Sequence, residues 1–170
     1  MNAEALIARL EAHTSVFQAL LGRVSNEDAA WKPAPEKWSL LEVAAHLLDE
    51  EREDFRTRLD LTLHHPEAAW PRIDPVGWVA ARKYAERELG PTVQQFLEER
   101  IRSVAWLRGL AAPDWNSEHR HPAFGSMSAG NLLVSWVAHD LLHFRQITRL
   151  QFQRVTELGA PFETGYAGEW

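Results

Sequence analysis

The stretch LLVSWVAHDLLHFRQITRL, residues 132–150, decides the reading of the chain. Leu132, Trp136, His139, His143, Ile147 and Leu150 follow one another at steps of four, three, four, four and three. That alternation puts all six on one face of a helix, the inward seam of a helix bundle. Two positions of the seam hold histidine where leucine is the ordinary occupant. Side chains four residues apart stack on one face, so His139 and His143 are neighbours. An unsatisfied buried imidazole costs about 1–3 kcal/mol, so something must compensate both. Two compensations stay open from spacing alone: a hydrogen bond to a glutamine or carboxylate, or a shared metal ion.

The rest of the chain supplies partners for this helix, whose predicted span is 128–153. Leu6, Leu10, Phe17 and Leu21 mark a first helix over 2–22, with His13 beside its stripe. SNEDAAWKPAPEKW, residues 25–38, contains two prolines and reads as a turn region. Ser39 with Glu42 three residues on forms a capping box, predicting a second helix to about residue 63. Its inward face carries Val43, His46, Leu47 and Glu50. A short extra helix is expected over 76–89, with Gly90-Pro91 as its break. A third long helix then starts near Pro91, with a stripe of Val93, Phe96, Leu97, Ile101, Val104 and Leu107. No segment alternates as a strand would. Gly125 suits a tight turn before the last helix, with Ser126 or Ser128 as its cap. The pattern predicts an all-α fold: one domain over 1–170, an antiparallel four-helix bundle, one overhand connection allowed, and a loop-rich tail over 157–170 that docks through Phe162 or Trp170 or stays mobile.

Composition narrows the function classes. The 170 residues include no cysteine, which removes disulfides, thiolate ligands and a cysteine nucleophile. The formal net charge of −6 argues against a nucleic-acid partner. No apolar run reaches bilayer length, and the first residues lack the pattern of a signal peptide, so a cytoplasmic protein without membrane partners is expected. Neither a GxGxxG or Walker-type phosphate loop nor a GxSxG elbow occurs. The eight tryptophans read chiefly as core and loop anchors; Trp136 and Leu47 are candidate cavity walls whose core role comes first.

His46 lies on the inward stripe of the second helix, so a third imidazole can meet His139 and His143. Asp49 and Glu50 follow His46 by three and four residues, Gln146 follows His143 by three, and Asp140 adjoins His139. Ligating histidines pass their second N–H to such acceptors, and Glu50 or Asp49 is a candidate general base. Against this stands the reading of both acids as solvated charges in the run DEEREDF. His119, Arg120 and His121 belong to a loop that could border the site or simply face solvent, and Arg145 with Arg149 reads as a solvated face.

Two segments carry a family resemblance. WKPAPEKWSLLEVAAHLLDEE, with Trp38-Ser39, His46-Leu47, Asp49 and Glu50, and HPAFGSMSAGNLLVSWVAHDLLHFRQI, with Gly125, His139, Asp140, His143, Gln146 and Ile147, resemble the DinB/YfiT-like superfamily of four-helix-bundle proteins. KYAERELGPTVQQFLEERIRSVAWLRGL is similar to its third-helix region. The resemblance implies a divalent metal, zinc or nickel, held by His46, His139 and His143. It also implies an enzyme that activates a low-molecular-weight thiol or water against a small-molecule substrate, as a thiol S-transferase or hydrolase. The alternative is a non-enzymatic metal- or ligand-binding bundle with a stress-response or interaction role. A homodimer is expected for such a bundle.

Overall fold

The computed structural model describes residues 1–121, 125–168 and 170. Helix α1 spans Ala3–Leu21, capped by Asn2. A short α2, Asn26–Ala30, is capped by Ser25 inside the expected turn region. The second long helix is α3, Leu40–Glu50, running through a π turn at Glu51–Phe55 into α4, Arg56–His64. Ser39 and Glu42 close the expected capping box. Helix α5, Pro75–Ala81, and a 3₁₀ turn, Tyr84–Glu86, lie in the connection to α6, Leu89–Gly109. Strands β1, Glu118–His121, and β2, Gly125–Ser128, precede α7, Ala129–Leu158, which Ser128 caps.

Side-chain pairs fix the helix directions. Glu11 meets Arg108 and Phe17 meets Phe96, so α1 and α6 run antiparallel. His46 meets His143 and Phe55 meets Trp136, so α3–α4 and α7 run antiparallel. His13 meets Asp140 and Gln151 meets the Leu20 carbonyl, so α1 and α7 run parallel. Glu51 meets Arg100 and Arg56 meets Ser103, so α3–α4 and α6 are parallel too. A parallel neighbour needs a connection that returns along the bundle. The helix from 40 to 64 is about 37 Å long at 1.5 Å per residue, which the 24 residues of 65–88 span easily at about 3.3 Å each. This connection is the overhand crossing that the sequence allowed.

Several expectations need correction. The short helix stops at Ala81 because Lys83 takes a left-handed conformation (φ 52°), which splits the expected 76–89 segment. Gly90 does not break the chain before α6 but sits in its first turn, together with Pro91, which was expected there and whose missing N–H is not needed. Ile101 is 61% exposed, and Arg100, 1% exposed, takes the inward place assigned to it. The expected strand-free loop before α7 folds into an antiparallel hairpin pairing Glu118 with Ser128 and His121 with Gly125. Gly125 adopts φ +74°, the conformation a tight turn asks of glycine. Helix α7 extends five residues past 153. In the tail, Trp170 stacks on Phe152 at 5.1 Å while Phe162 is exposed.

The core forms two apolar clusters. One gathers Phe17, Leu41, Val43, Leu47, Phe96 and Ile147, and the other Leu10, Leu59, Leu107, Leu133 and Trp136. Helix α3 is buried on every side, because α2, α5, α6 and α7 all pack against it. Polar groups on it therefore need internal partners or a ligand. Among the described residues, no helix is long and apolar enough to cross a membrane.

Candidate metal centre

His46 comes from α3, and His139 and His143 from successive turns of α7. One ring nitrogen of each lies within 4.8 Å of the others. The Nε2 atoms of His139 and His143 are 3.1 Å apart. Nitrogens bound at 2.0–2.1 Å to one ion at tetrahedral or right angles are about 2.8–3.4 Å apart. The rings of His46 and His143 lie 5.0 Å apart, and those of His46 and His139 5.7 Å. The donor set thus fits a divalent ion, and these three are the described His, Cys, Asp and Glu residues that come together in this way.

Electrostatics favours the same occupant. Burial, then the charge of His143, pushes the His46 imidazole down to about 3. Burial, then His143 and His46, takes His139 to about 3. Burial takes His143 to about 4, although Gln146 and Asp140 pull the other way. All three rings are therefore neutral at physiological pH, which is the state that ligates. The Nδ1 atoms of His46 and His143 are buried without a hydrogen-bond partner. Ligation through the opposite nitrogens would fix these Nδ1 atoms as N–H donors, and Glu50 Oε1 lies 4.0 Å from the one on His46.

Glu50 lies one turn beyond His46, with Oε1 4.0 Å from His46 Nδ1. That oxygen is buried and accepts no hydrogen bond. Burial, then the neighbouring Asp54 carboxylate, pushes Glu50 up to about 8. Asp54 is itself raised by burial, against the pull of Arg58 at 2.8 Å. Neither Glu50 nor Asp54 is a solvated surface charge.

The other candidates separate. Asp49 does not face the imidazoles: its carboxylate accepts from Tyr84 Oη at 2.6 Å and pairs with Arg82 at 2.9 Å and Arg87 at 3.5 Å. It holds the 65–88 connection against α3. Asp140 diverges from His139 by one helical step. It accepts two bonds from Arg100 at 2.6 and 2.8 Å and one from His13 Nδ1 at 2.9 Å. Gln146 lies beside His143, where it favours the protonated ring. His119 is buried away from the centre, stacked on Trp70 at 4.4 Å, with Nδ1–H donating to the Pro66 carbonyl. His121 lies 5.5 Å from the same Trp70 ring. Trp136 and Leu47 are core residues.

Sequence reasoning missed the walls and the support of the centre. Trp38 packs its ring 5.0 Å from His46, and Phe55 packs 5.0 Å from His139 while stacking on Trp136. Behind them lies a buried ionic cluster. Arg100 Nε donates to Glu51 Oε1 at 3.0 Å, and Trp136 Nε1 donates to Glu51 Oε2 at 3.1 Å. Glu50 stands one α-helical turn after His46 and faces it, and the next residue, Glu51, diverges by one helical step toward Arg100, where the π turn begins. A signal was available for Arg100: it stands four residues from both Phe96 and Val104, in the α6 stripe.

Comparison with known proteins identifies the fold and the family. No curated protein matches the sequence. A solved structure described as "YfiT from Bacillus subtilis is a probable metal-dependent hydrolase with an unusual four-helix bundle topology" superposes with a TM-score of 0.79. The match covers 89% of this chain and 87% of that one, at 20% identity, a likeness of fold. The sequence model of the DinB superfamily matches residues 9–147, and the chain belongs to that superfamily.

Proposed function

We propose that this chain is a metal-dependent enzyme in which His46, His139 and His143 hold one divalent ion, zinc or nickel. Its reaction joins or cleaves a small electrophilic substrate using a low-molecular-weight thiol or water, as an S-transferase or a hydrolase. The observation that carries this reading is the convergence of three neutral imidazoles, two buried and one half-buried, that no fourth His, Cys, Asp or Glu among the described residues joins. An ion held by neutral ligands keeps its full charge and an open position, which lowers the pKa of water or thiol there.

The protein's own groups supply the rest. Glu50 Oε1, free of partners, takes the proton of the incoming nucleophile and returns it to the leaving group. Its raised pKa, about 8, suits exchange near neutral pH. Trp38 and Phe55 shield the imidazoles from bulk water. Gln146 orients His143. Asp140, through Arg100 and His13, fixes the rotation of α7 on which both His139 and His143 depend.

The test is to load purified protein with zinc or nickel, quantify bound metal, and screen thiol transfer to electrophiles and ester or amide hydrolysis. Turnover should follow metal content and vanish in His143→Ala. Stoichiometric metal without turnover across the screen would instead favour the non-enzymatic metal-binding bundle.

A further inference from the structure

A cleft of about 390 Å³ lies one side chain away from His46 and His143, neither of which lines it. Its inner wall includes Trp38 and Gln146, the residues that border His46 and His143. Its outer wall carries Lys37, Arg149 and the amide of Gln153. The two cations differ from Lys32 and Arg154 nearby. Lys32 is held by Glu42 at 2.7 Å, and Arg154 by Asp28, Glu27 and Glu157 at 2.8–2.9 Å. Among the described residues, Lys37 and Arg149 have no carboxylate partner, although the chain carries a net charge of −6 and acids are plentiful. Two unpaired cations at the far end of a cleft, with a ligating centre at the near end, define a two-point site.

The spacing limits the ligand. Arg149 lies six residues beyond His143 on the same helix, about 9 Å along the axis and about 120° around it, so about 9 Å is the least separation. Pro33, Ala34 and Leu150 add apolar lining to the cleft beside these polar groups. Resting on the metal-centre reading, we propose that this cleft is the substrate-binding channel. Its occupant is an elongated small molecule whose head reaches the three histidines and whose anionic tail, at least about 9 Å away, is bound by Lys37 and Arg149. The thiol or the electrophile that this protein uses is therefore an acid, of a class with several bonds between the reacting atom and the charged group.

Calorimetry on zinc-loaded protein tests this with 6-mercaptohexanoate, 6-mercaptohexanol and 3-mercaptopropionate. The long acid should bind about 10-fold tighter than the alcohol of equal length, the gain of charge-assisted contacts. The short acid, unable to span the cleft, should show no such gain. Lys37→Ala combined with Arg149→Ala should abolish the preference and leave the alcohol's affinity where it was; both side chains are exposed, and circular dichroism checks the fold. Equal affinity for long acid and alcohol, or a preference that survives the double variant, overturns the proposal. If no thiol binds the zinc protein, the thiol chemistry fails, and hexanoate, which needs no metal, decides the cleft. Hexanoate binding that is lost in the double variant upholds the anion site, and absence of binding, or binding unchanged in the variant, overturns it.

Discussion

Replacing Arg100 with Met should be the most damaging single change outside the histidines. Arg100 is 1% exposed and touches two carboxylates that are as deeply buried, Asp140 and Glu51. Burial alone would raise the Asp140 pKa, yet Arg100 and His13 together hold it below the usual carboxylate range. Methionine fills a similar volume but leaves both acids without a guanidinium. Removing one partner of a buried ion pair costs about 3–5 kcal/mol, out of the roughly 5–15 kcal/mol that a domain has. For 170 residues that is a fall in Tm of about 8–14 °C. The triple variant R100M/E51Q/D140N should recover most of the loss. It buries no charge, and its amide oxygens still accept from Trp136 and His13. Arg100→Lys should fall between, because an ammonium keeps the charge but not the paired geometry. Urea unfolding followed by circular dichroism, in chelator so that metal loss does not enter, measures all three. A loss under about 1 kcal/mol for R100M, or a triple variant no more stable than the single, would refute the assignment of this cluster as the support of the bundle.

Three further outcomes follow from the site. Glu50→Gln should keep its metal but lose about 100- to 10,000-fold in turnover, the usual contribution of a positioned base; steady-state kinetics beside metal analysis checks this, and full activity would remove Glu50 from the chemistry. In metal-free protein the imidazoles of His46, His139 and His143 sit below their unfolded value of 6.5, so stability is lost as pH falls from about 6.5 toward 4. Between pH 7.5 and 5.5 the three together remove about 4 kcal/mol, whereas Glu50, raised to about 8, gains protons in the fold and returns part of it. The wild type should therefore lose less stability than Glu50→Gln over that range, and equal acid sensitivity in urea titrations would contradict the raised Glu50 pKa. Zinc-loaded protein should keep its ion at pH 5.5, where exposed imidazoles are mostly protonated; release near pH 6.5 in equilibrium dialysis would mean that the ligands are solvent-exposed.

Much of the fold was legible because apolar spacing along a helix reports its buried face. The seam of α7 and the capping box at Ser39 were readable in this way, and so were the placement of His46, His139 and His143 on inward faces. Residues whose partners lie far away in sequence were not. Asp49 and Glu50 are adjacent, yet one bonds to the 65–88 connection and the other faces the histidines, a choice set by the crossing of that segment. Arg100 is charged and still central, because Asp140 and Glu51 arrive from two other helices to meet it. The hairpin at 118–128 has too few residues per strand for an alternating pattern to emerge. The parallel neighbours α1 and α7 follow from contacts such as His13 with Asp140, across 127 residues of sequence.

The most direct test is anomalous diffraction from a crystal grown with zinc or nickel, paired with absorption fine structure in solution. One ion per chain is expected, with nitrogen from His46, His139 and His143 at about 2.0–2.1 Å and lighter, exchangeable ligands completing the shell. An ion bound elsewhere, or full occupancy retained in a His46→Ala/His143→Ala double variant, would contradict the account.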